Sequence, residues 1–177
     1  MQLLFTLIAI LLIFSFVLKG ALMPRKSWVA LVALAALALW FAFPWLTSQP
    51  SSAVTGVFSD RKILADVSAA VVTEAILMIL FCLLRAGERS AWTLWVPEIL
   101  AVPSLCLLQV LTLYALPGVD FTIFRIGAAI AAIIVTAGGI LLVKALSRRE
   151  SEPLEALFLV NIFILLLTVA AAGAFTF

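Results

Sequence analysis

One carboxyl side chain, Glu74, stands near the middle of a long apolar run from Ile63 to Leu84. An ionisable side chain at such a depth in a membrane is costly and is a candidate for function. A carboxyl group there can carry a proton if water reaches it from the two sides in turn. It can equally serve as a neutral hydrogen-bonding group that holds two helices together. The sequence leaves both interpretations of Glu74 open.

Two amide side chains, Gln109 and Asn161, lie in other apolar runs, and Asn161 stands about one helical turn from the depth of Glu74. If the helices that carry them face one another, Glu74, Asn161 and Gln109 form the polar centre of a bundle. This hypothesis follows from depth alone. It makes the three side chains the candidates for an ion path or a polar core.

Three further charged residues stand closer to the ends of their runs. Asp66 and Arg125 lie at matching depth, so we expect a structural ion pair, because pairing offsets much of the cost of burying either charge. Glu98 is expected near a membrane boundary, where Arg85 or Arg89 can neutralise it.

The segment around Glu74 resembles a motif in small membrane subunits of Mrp-type antiporters and related hydrogenases. The resemblance lies in Asp66-Val67 and in Val72-Thr73-Glu74-Ala75, and the spacing between the two parts is longer here than in that family. In the family the glutamate is implicated in proton or sodium movement, so the resemblance implies that role for Glu74. It covers this one apolar run.

Several classes of chemistry are excluded by residue types. The chain has no histidine, which removes the Ser-His-Asp triad, His-ligated zinc and His-ligated haem. Cys82 and Cys106 form no CxxC pair. The net charge is only +2 and the basic residues are scattered, so no strip exists for a nucleic-acid backbone. We expect no enzyme activity, no catalytic residues, no metal, no cofactor and no nucleic-acid partner.

The composition requires a membrane, since 66% of the 177 residues are hydrophobic and 11% are charged. Soluble domains carry roughly 25% charged residues. Runs long enough to cross a bilayer, about 20 residues each, recur six times. We therefore predict an all-α integral membrane protein that forms one six-helix transmembrane domain over residues 1–177. The predicted spans are about 2–18, 28–46, 63–84, 92–116, 121–143 and 154–175.

Orientation follows from the basic residues, which favour the cytoplasmic side of short loops. Eight of the eleven fall on one side and include Lys19. Arg61 and Lys62 lie on the other side, with Arg125 slightly inside the fifth span. We expect the eight-charge side to be cytoplasmic, which places both termini on the non-cytoplasmic side of a cytoplasmic (inner) membrane.

Small residues mark one face of the fifth span, where Gly127, Ala128, Ala131 and Ala132 allow close helix packing. This face makes the fifth span either central to the bundle or a docking site for a partner helix. In the fourth span, Pro97 and Pro103 are expected to bend the helix.

Three functions remain in order of preference. The first is a small embedded subunit of a larger inner-membrane complex, linked to an ion gradient, with other membrane subunits and the lipid bilayer as partners. The second is an autonomous carrier or membrane binding component for a small apolar solute. The third, a membrane-embedded lipid enzyme, ranks last because Glu98 with Glu88 is too sparse a set of acidic groups. Three spans followed by three also permit an inverted repeat, although the halves share no sequence similarity.

Overall fold

The computed structural model describes residues 2–48, 56, 60–87, 98–116, 118–147, 149 and 151–174. The described residues form six α-helices and no strands. The helices are α1 (Gln2–Leu22), α2 (Arg25–Ser48), α3 (Arg61–Gly87), α4 (Ala101–Ala115), α5 (Phe121–Leu146) and α6 (Ser151–Ala174). Five of them are long and apolar enough to cross a membrane, and α4 is the shorter one. The protein is an all-α, multi-pass membrane protein.

The helix ends follow local sequence signals. Asp60 and Asp120 precede α3 and α5, and each Oδ1 accepts hydrogen bonds from two backbone N–H groups of the first turn. Gly118 has a φ of 90°, a conformation that favours glycine, in the turn between α4 and α5. Pro153 lies in the first turn of α6, where its missing N–H leaves no helical bond unmade.

The largest departures from the predicted spans are in the first and fourth helices. The first helix continues past Leu18 to Leu22, so Lys19 is a helical residue and not part of a loop. The fourth helix begins at Ala101, and Glu98 and Ile99 are not helical. Pro103 therefore stands in a first turn and does not bend a longer helix. The predicted start of this span at residues 92–97, including Pro97, lies outside the described residues.

The centre of the bundle is α1, which packs against α4, α5 and α6. On the outside, α3 lies against α6, and α2 lies against α5 and α4. The expectation that the fifth span could be central is wrong. Along α5 the fully buried residues are Thr136 and Ile140.

Close approach between α1 and α5 depends on glycine at two points. A Cβ atom on Gly20 would lie 2.6 Å from Cδ1 of Ile140, and one on Gly139 would lie 3.0 Å from Cγ1 of Val17. Small residues of this kind let membrane helices approach closely. Nearer the start of α5 the situation differs, because a Cβ atom on Gly127 would meet nothing within 4 Å.

Candidate functional site

A buried polar cluster lies where α1, α3 and α6 meet the start of α4. We define it by five residues: Ser15, Lys19, Glu74, Glu98 and Asn161. Four of them are buried, and Glu98 is half-buried. Polar groups in a membrane interior must find partners in the protein, because lipid offers none. The cluster is consequently the place where this bundle concentrates its polar chemistry.

Ser15 joins two of the other members through its hydroxyl. Its Oγ donates to Oε1 of Glu98 at 2.9 Å and accepts from Nδ2 of Asn161 at 3.0 Å. The Asn161 amide also donates to the carbonyl oxygen of Leu157, one turn earlier in α6, at 2.8 Å. A chain of hydrogen bonds thus links α6 through α1 to the segment that precedes α4.

Glu74 reaches the same segment from α3. Its Oε2 accepts a hydrogen bond from the backbone N–H of Leu100 at 2.9 Å, directly before α4 begins. The first backbone N–H groups of a helix have no partner within the helix and carry a partial positive charge. A carboxyl oxygen from another helix therefore satisfies the backbone N–H of the N-cap residue, Leu100, whose own side chain forms no capping hydrogen bond.

Lys19 supplies the positive charge of the cluster. Its ammonium group interacts electrostatically with both carboxyl groups, with Glu98 ahead of Glu74. The same nitrogen lies 5.6 Å from the centre of the Phe81 ring, within range of a cation–π contact. One ammonium group faces two carboxyl groups, so the net charge of the three side chains is −1 when all are ionised. One added proton or monovalent cation makes the sum zero.

Two buried oxygen atoms of the cluster have no hydrogen-bond donor among the described residues. Oε2 of Glu98 and Oδ1 of Asn161 accept no hydrogen bond from the described residues. Beside Glu98 and Lys19 lies a void of about 10 Å³, whose other walls include Gly20 and Met23. That volume is close to the minimum that holds one water molecule. Met23 lies in the turn between α1 and α2, so the void extends from the cluster toward that end of the bundle.

The structure brings together two of the three residues expected at the polar centre. Glu74 and Asn161 both belong to the cluster, linked through Ser15, Glu98 and the backbone of Leu100. Gln109 lies farther along α4, outside the cluster, and lines a different surface. Depth counted along a longer predicted span placed the three together, but Gln109 stands nine residues beyond Leu100, about 13 Å farther along the chain at the helical rise.

Arg125 binds a partner other than the one expected. Its Nη2 donates to the carbonyl oxygen of Trp40 at 2.7 Å, and the guanidinium lies 3.8 Å from the Trp40 ring centre. Pro44 has no N–H with which to bond that carbonyl, so Arg125 supplies the missing donor. The described residues show no ion pair with Asp66, which is exposed on α3. The two side chains are not brought together because α5 packs on α1 and α2, whereas α3 packs on α6.

Glu98 also has partners other than those expected. Near the cytoplasmic boundary it was expected to be neutralised by Arg85 or Arg89, but its carboxyl bonds Ser15 and faces Lys19. Arg89 lies outside the described residues. Glu98 precedes α4 and is not helical, so its direction could not be derived from the helical periodicity of the predicted span.

Ser15 and Lys19 were missed as site residues. Lys19 follows an apolar run directly and looked like the first charge of a loop. The spacing of four between Ser15 and Lys19, which puts both on one helix face, was the available signal.

The small-residue face borders a groove between α4 and α5. Gly127, Ala128, Ala131 and Ala132 line one wall, and the apolar floor includes Ile13 of α1 and Leu39 of α2. The groove has a volume of about 570 Å³. Gln109 lies in the opposite wall, on α4, and the exposed fraction of this residue is 8%. Its Oε1 accepts no hydrogen bond from the described residues.

Fold and site together define a multi-pass α-helical membrane protein with a charged cluster at the start of its short fourth helix. Comparison with family models, with curated proteins and with solved structures returned no match. Within the described ranges, no group of three His, Cys, Asp or Glu residues is arranged to hold a metal ion.

Proposed function

We propose that this chain is a small embedded subunit of an ion-gradient-linked complex in the cytoplasmic membrane, and that its polar cluster takes up and releases one proton or monovalent cation. The observation that supports this is the unequal charge count of Lys19, Glu74 and Glu98 inside a lipid-embedded bundle. Burying a net charge is expensive, so the cluster favours the state that holds one more positive charge.

Glu98 is the acceptor that we assign to this exchange. One of its carboxyl oxygens is held by Ser15, and the other is buried without a partner among the described residues. The void at Lys19 and Glu98 gives that carboxyl a neighbouring space of about one water molecule. Glu74 plays a complementary role, because its contact with Leu100 couples its charge to the start of α4.

The start of the short fourth helix supports the proposal independently. Transporters commonly use the ends of membrane helices as ion and substrate sites, because helix ends offer unpaired backbone groups. Here the start of α4 lies against two carboxyl groups and an ammonium group. Binding or loss of one proton at Glu98 would change the charge beside that helix end.

The test is ion flux through the purified chain with whatever companions it retains. Liposomes containing a pH-sensitive dye report proton entry when a potassium gradient and valinomycin impose a membrane potential. We expect Glu98→Gln and Glu74→Gln to abolish the flux, while the matched control Glu155→Gln, an exposed position on α6, leaves it unchanged. The assay is repeated with sodium replacing choline in the external buffer. A signal that depends on sodium indicates that the cluster binds a sodium ion, and a signal that does not depend on it indicates a proton. Unchanged flux in both cluster variants would refute the proposal.

Membership in a complex needs a separate experiment. The tagged chain is purified in mild detergent from its native host, and mass spectrometry identifies what elutes with it. Stoichiometric companions support the subunit proposal. A solitary chain supports the second candidate, an autonomous membrane component for a small apolar solute, which the groove beside Gln109 favours.

The same proposal includes the orientation of the chain in the membrane. If the basic loops lie in the cytoplasm, Arg25 and Arg149 are on the cytoplasmic side and Asp120 is on the opposite side. In a background where Cys82 and Cys106 are alanine, Asp120→Cys in intact cells should react with a membrane-impermeant maleimide. Arg149→Cys should react only after the membrane is opened. The reverse pattern would overturn this orientation.

A further inference from the structure

The space beside Glu98 is small and offers few oxygen atoms. The void there has a volume of about 10 Å³, close to the minimum that holds one water molecule. Besides Glu98, its walls among the described residues are Lys19, which brings only N–H donors, and four residues whose side chains carry no oxygen: Phe16, Gly20, Met23 and Leu31. Glu98 is therefore the one described residue that presents a side-chain oxygen acceptor at this void.

The backbone oxygens at the same end of the bundle already have donors. The carbonyl oxygen of Gly20 accepts a hydrogen bond from the N–H of Met23 at 3.2 Å. The carbonyl oxygen of Met23 accepts one from Nζ of Lys144 at 2.9 Å. A metal cation that leaves water needs several oxygen atoms in place of its hydration shell. The described residues do not offer such a shell beside Glu98.

We propose that the ion exchanged by the polar cluster is a proton, held on the carboxyl group of Glu98, and that the cluster binds neither sodium nor potassium. A hydronium ion at the void transfers one proton to the ionised carboxyl group, which leaves a neutral carboxyl group and one water molecule. The net charge of Lys19, Glu74 and Glu98 changes from −1 to zero. This inference rests on the proposed function and specifies which ion that function uses.

The hydrogen bond between Ser15 and Glu98 is compatible with both charge states of the carboxyl group. A hydroxyl group donates one hydrogen bond and accepts up to two. Oγ of Ser15 donates to Oε1 of the ionised Glu98 at 2.9 Å. When Glu98 carries the proton, its carboxyl group donates to Oγ instead, and the other lone pair of Oγ still accepts from Asn161. The two charge states thus share one arrangement of heavy atoms.

The titratable groups around Glu98 come from α1 and α3. Lys19 of α1 interacts with it electrostatically, as do Glu74 and Cys82 of α3. From α6, Asn161 contributes a neutral amide. Groups that interact in this way titrate together, so the proton must be assigned by a measurement that reports on one side chain.

Infrared difference spectroscopy of the full chain in lipid bilayers gives that measurement, because a protonated carboxyl group has a C=O stretching band that a carboxylate lacks. The band is followed against pH at constant ionic strength in choline, sodium or potassium chloride. We expect one titrating band with the same midpoint in all three salts. One-for-one competition by a metal ion would move the midpoint by up to about one pH unit for each tenfold rise in that ion, and such a shift would overturn the inference.

Two variants assign the band to Glu98. Glu98→Gln should abolish it, and Glu98→Asp should change its frequency, because the carboxyl group is then attached to a shorter side chain. Glu155→Gln and Glu155→Asp are the matched controls, since Glu155 is exposed on α6 and lies outside the cluster, and both should leave the band unchanged. A band that survives Glu98→Gln, or the absence of any titrating band in the unaltered chain, would refute the assignment.

The liposome assay distinguishes the failure of this inference from the failure of the proposed function. If Glu98→Gln and Glu74→Gln abolish a flux that requires sodium, the cluster is an ion site and the proton assignment is wrong. If both variants leave the flux unchanged, the proposed function itself is refuted.

Discussion

The polar cluster and the groove differ in how each accommodates a polar side chain in the apolar interior of the membrane. At the cluster, α1, α3, α6 and the start of α4 converge, and hydrogen bonds between these elements join Ser15 to Asn161 and Glu98. One oxygen each of Glu98 and Asn161 still accepts no hydrogen bond from the described residues. At the groove, two helices diverge, and the Oε1 of Gln109 accepts no hydrogen bond from the described residues. Where the helices converge, most polar side chains find partners on other helices of the chain. Where they diverge, the oxygen of Gln109 is buried without a donor among the described residues.

One helix takes part in both regions. The start of α4 is bonded by Glu74, and its middle carries Gln109. The late start of the helix at Ala101 brings backbone N–H groups into the cluster. The comparison can be tested by removing charge from the first region, by adding volume along α5, and by exchanging one hydrogen-bond donor near the second region.

The largest effect is expected from Lys19→Met. Removing one member of a buried charged group leaves the others uncompensated, at a cost of about 3–5 kcal/mol in the free energy of unfolding. Reversible unfolding in mixed micelles measures this value. Lys26→Met is the control, because Lys26 is exposed and such surface substitutions change stability by about 0.5 kcal/mol or less.

The double variant Lys19→Met with Glu98→Gln identifies the cause. If charge imbalance dominates, removing the opposing carboxyl restores part of the lost stability. A double variant that is less stable than Lys19→Met alone would instead show that Glu98 contributes chiefly through its hydrogen bond to Ser15.

An intermediate change in stability is expected when alanine replaces glycine, and the sign of the change differs between Gly20 and Gly127. Gly20→Ala forces Ile140 to shift, and because Ile140 is fully buried we expect a cost toward the upper end of about 1–3 kcal/mol, against a gain of about 1 kcal/mol in helix propensity. Gly127→Ala has open space around its Cβ and keeps only the gain. Thermal unfolding of the two variants should therefore move in opposite directions. A loss of stability at Gly127 would show that something packs against this wall of the groove.

The sequence predicted the elements of this fold better than the neighbours of each side chain. Long apolar runs specify helices in lipid, because every backbone group must be satisfied within the segment, and six helices are present in the described residues. Depth could be counted along each run, which is why Glu74 and Asn161 were placed in one region.

Two kinds of information were not contained in that count. At the start of α4, a carboxyl group from α3 bonds the backbone of Leu100, a contact between residues far apart in the chain. Lys19 could be buried only because two carboxyl groups meet it there. In both cases the partner decides the local structure, so periodicity along one segment could not reveal it.

The smallest effect concerns the carbonyl oxygen of Trp40 near the groove. Arg125→Met removes the donor that replaces the N–H missing at Pro44, and it also removes the contact with the Trp40 ring. Hydrogen bonds between membrane helices average about 0.6 kcal/mol in double-mutant cycles. Pro44→Ala restores a backbone N–H, so Arg125→Met should cost about that much less in the Pro44→Ala background. Equal costs in the two backgrounds would mean that the ring contact, rather than the carbonyl, holds Arg125 in place.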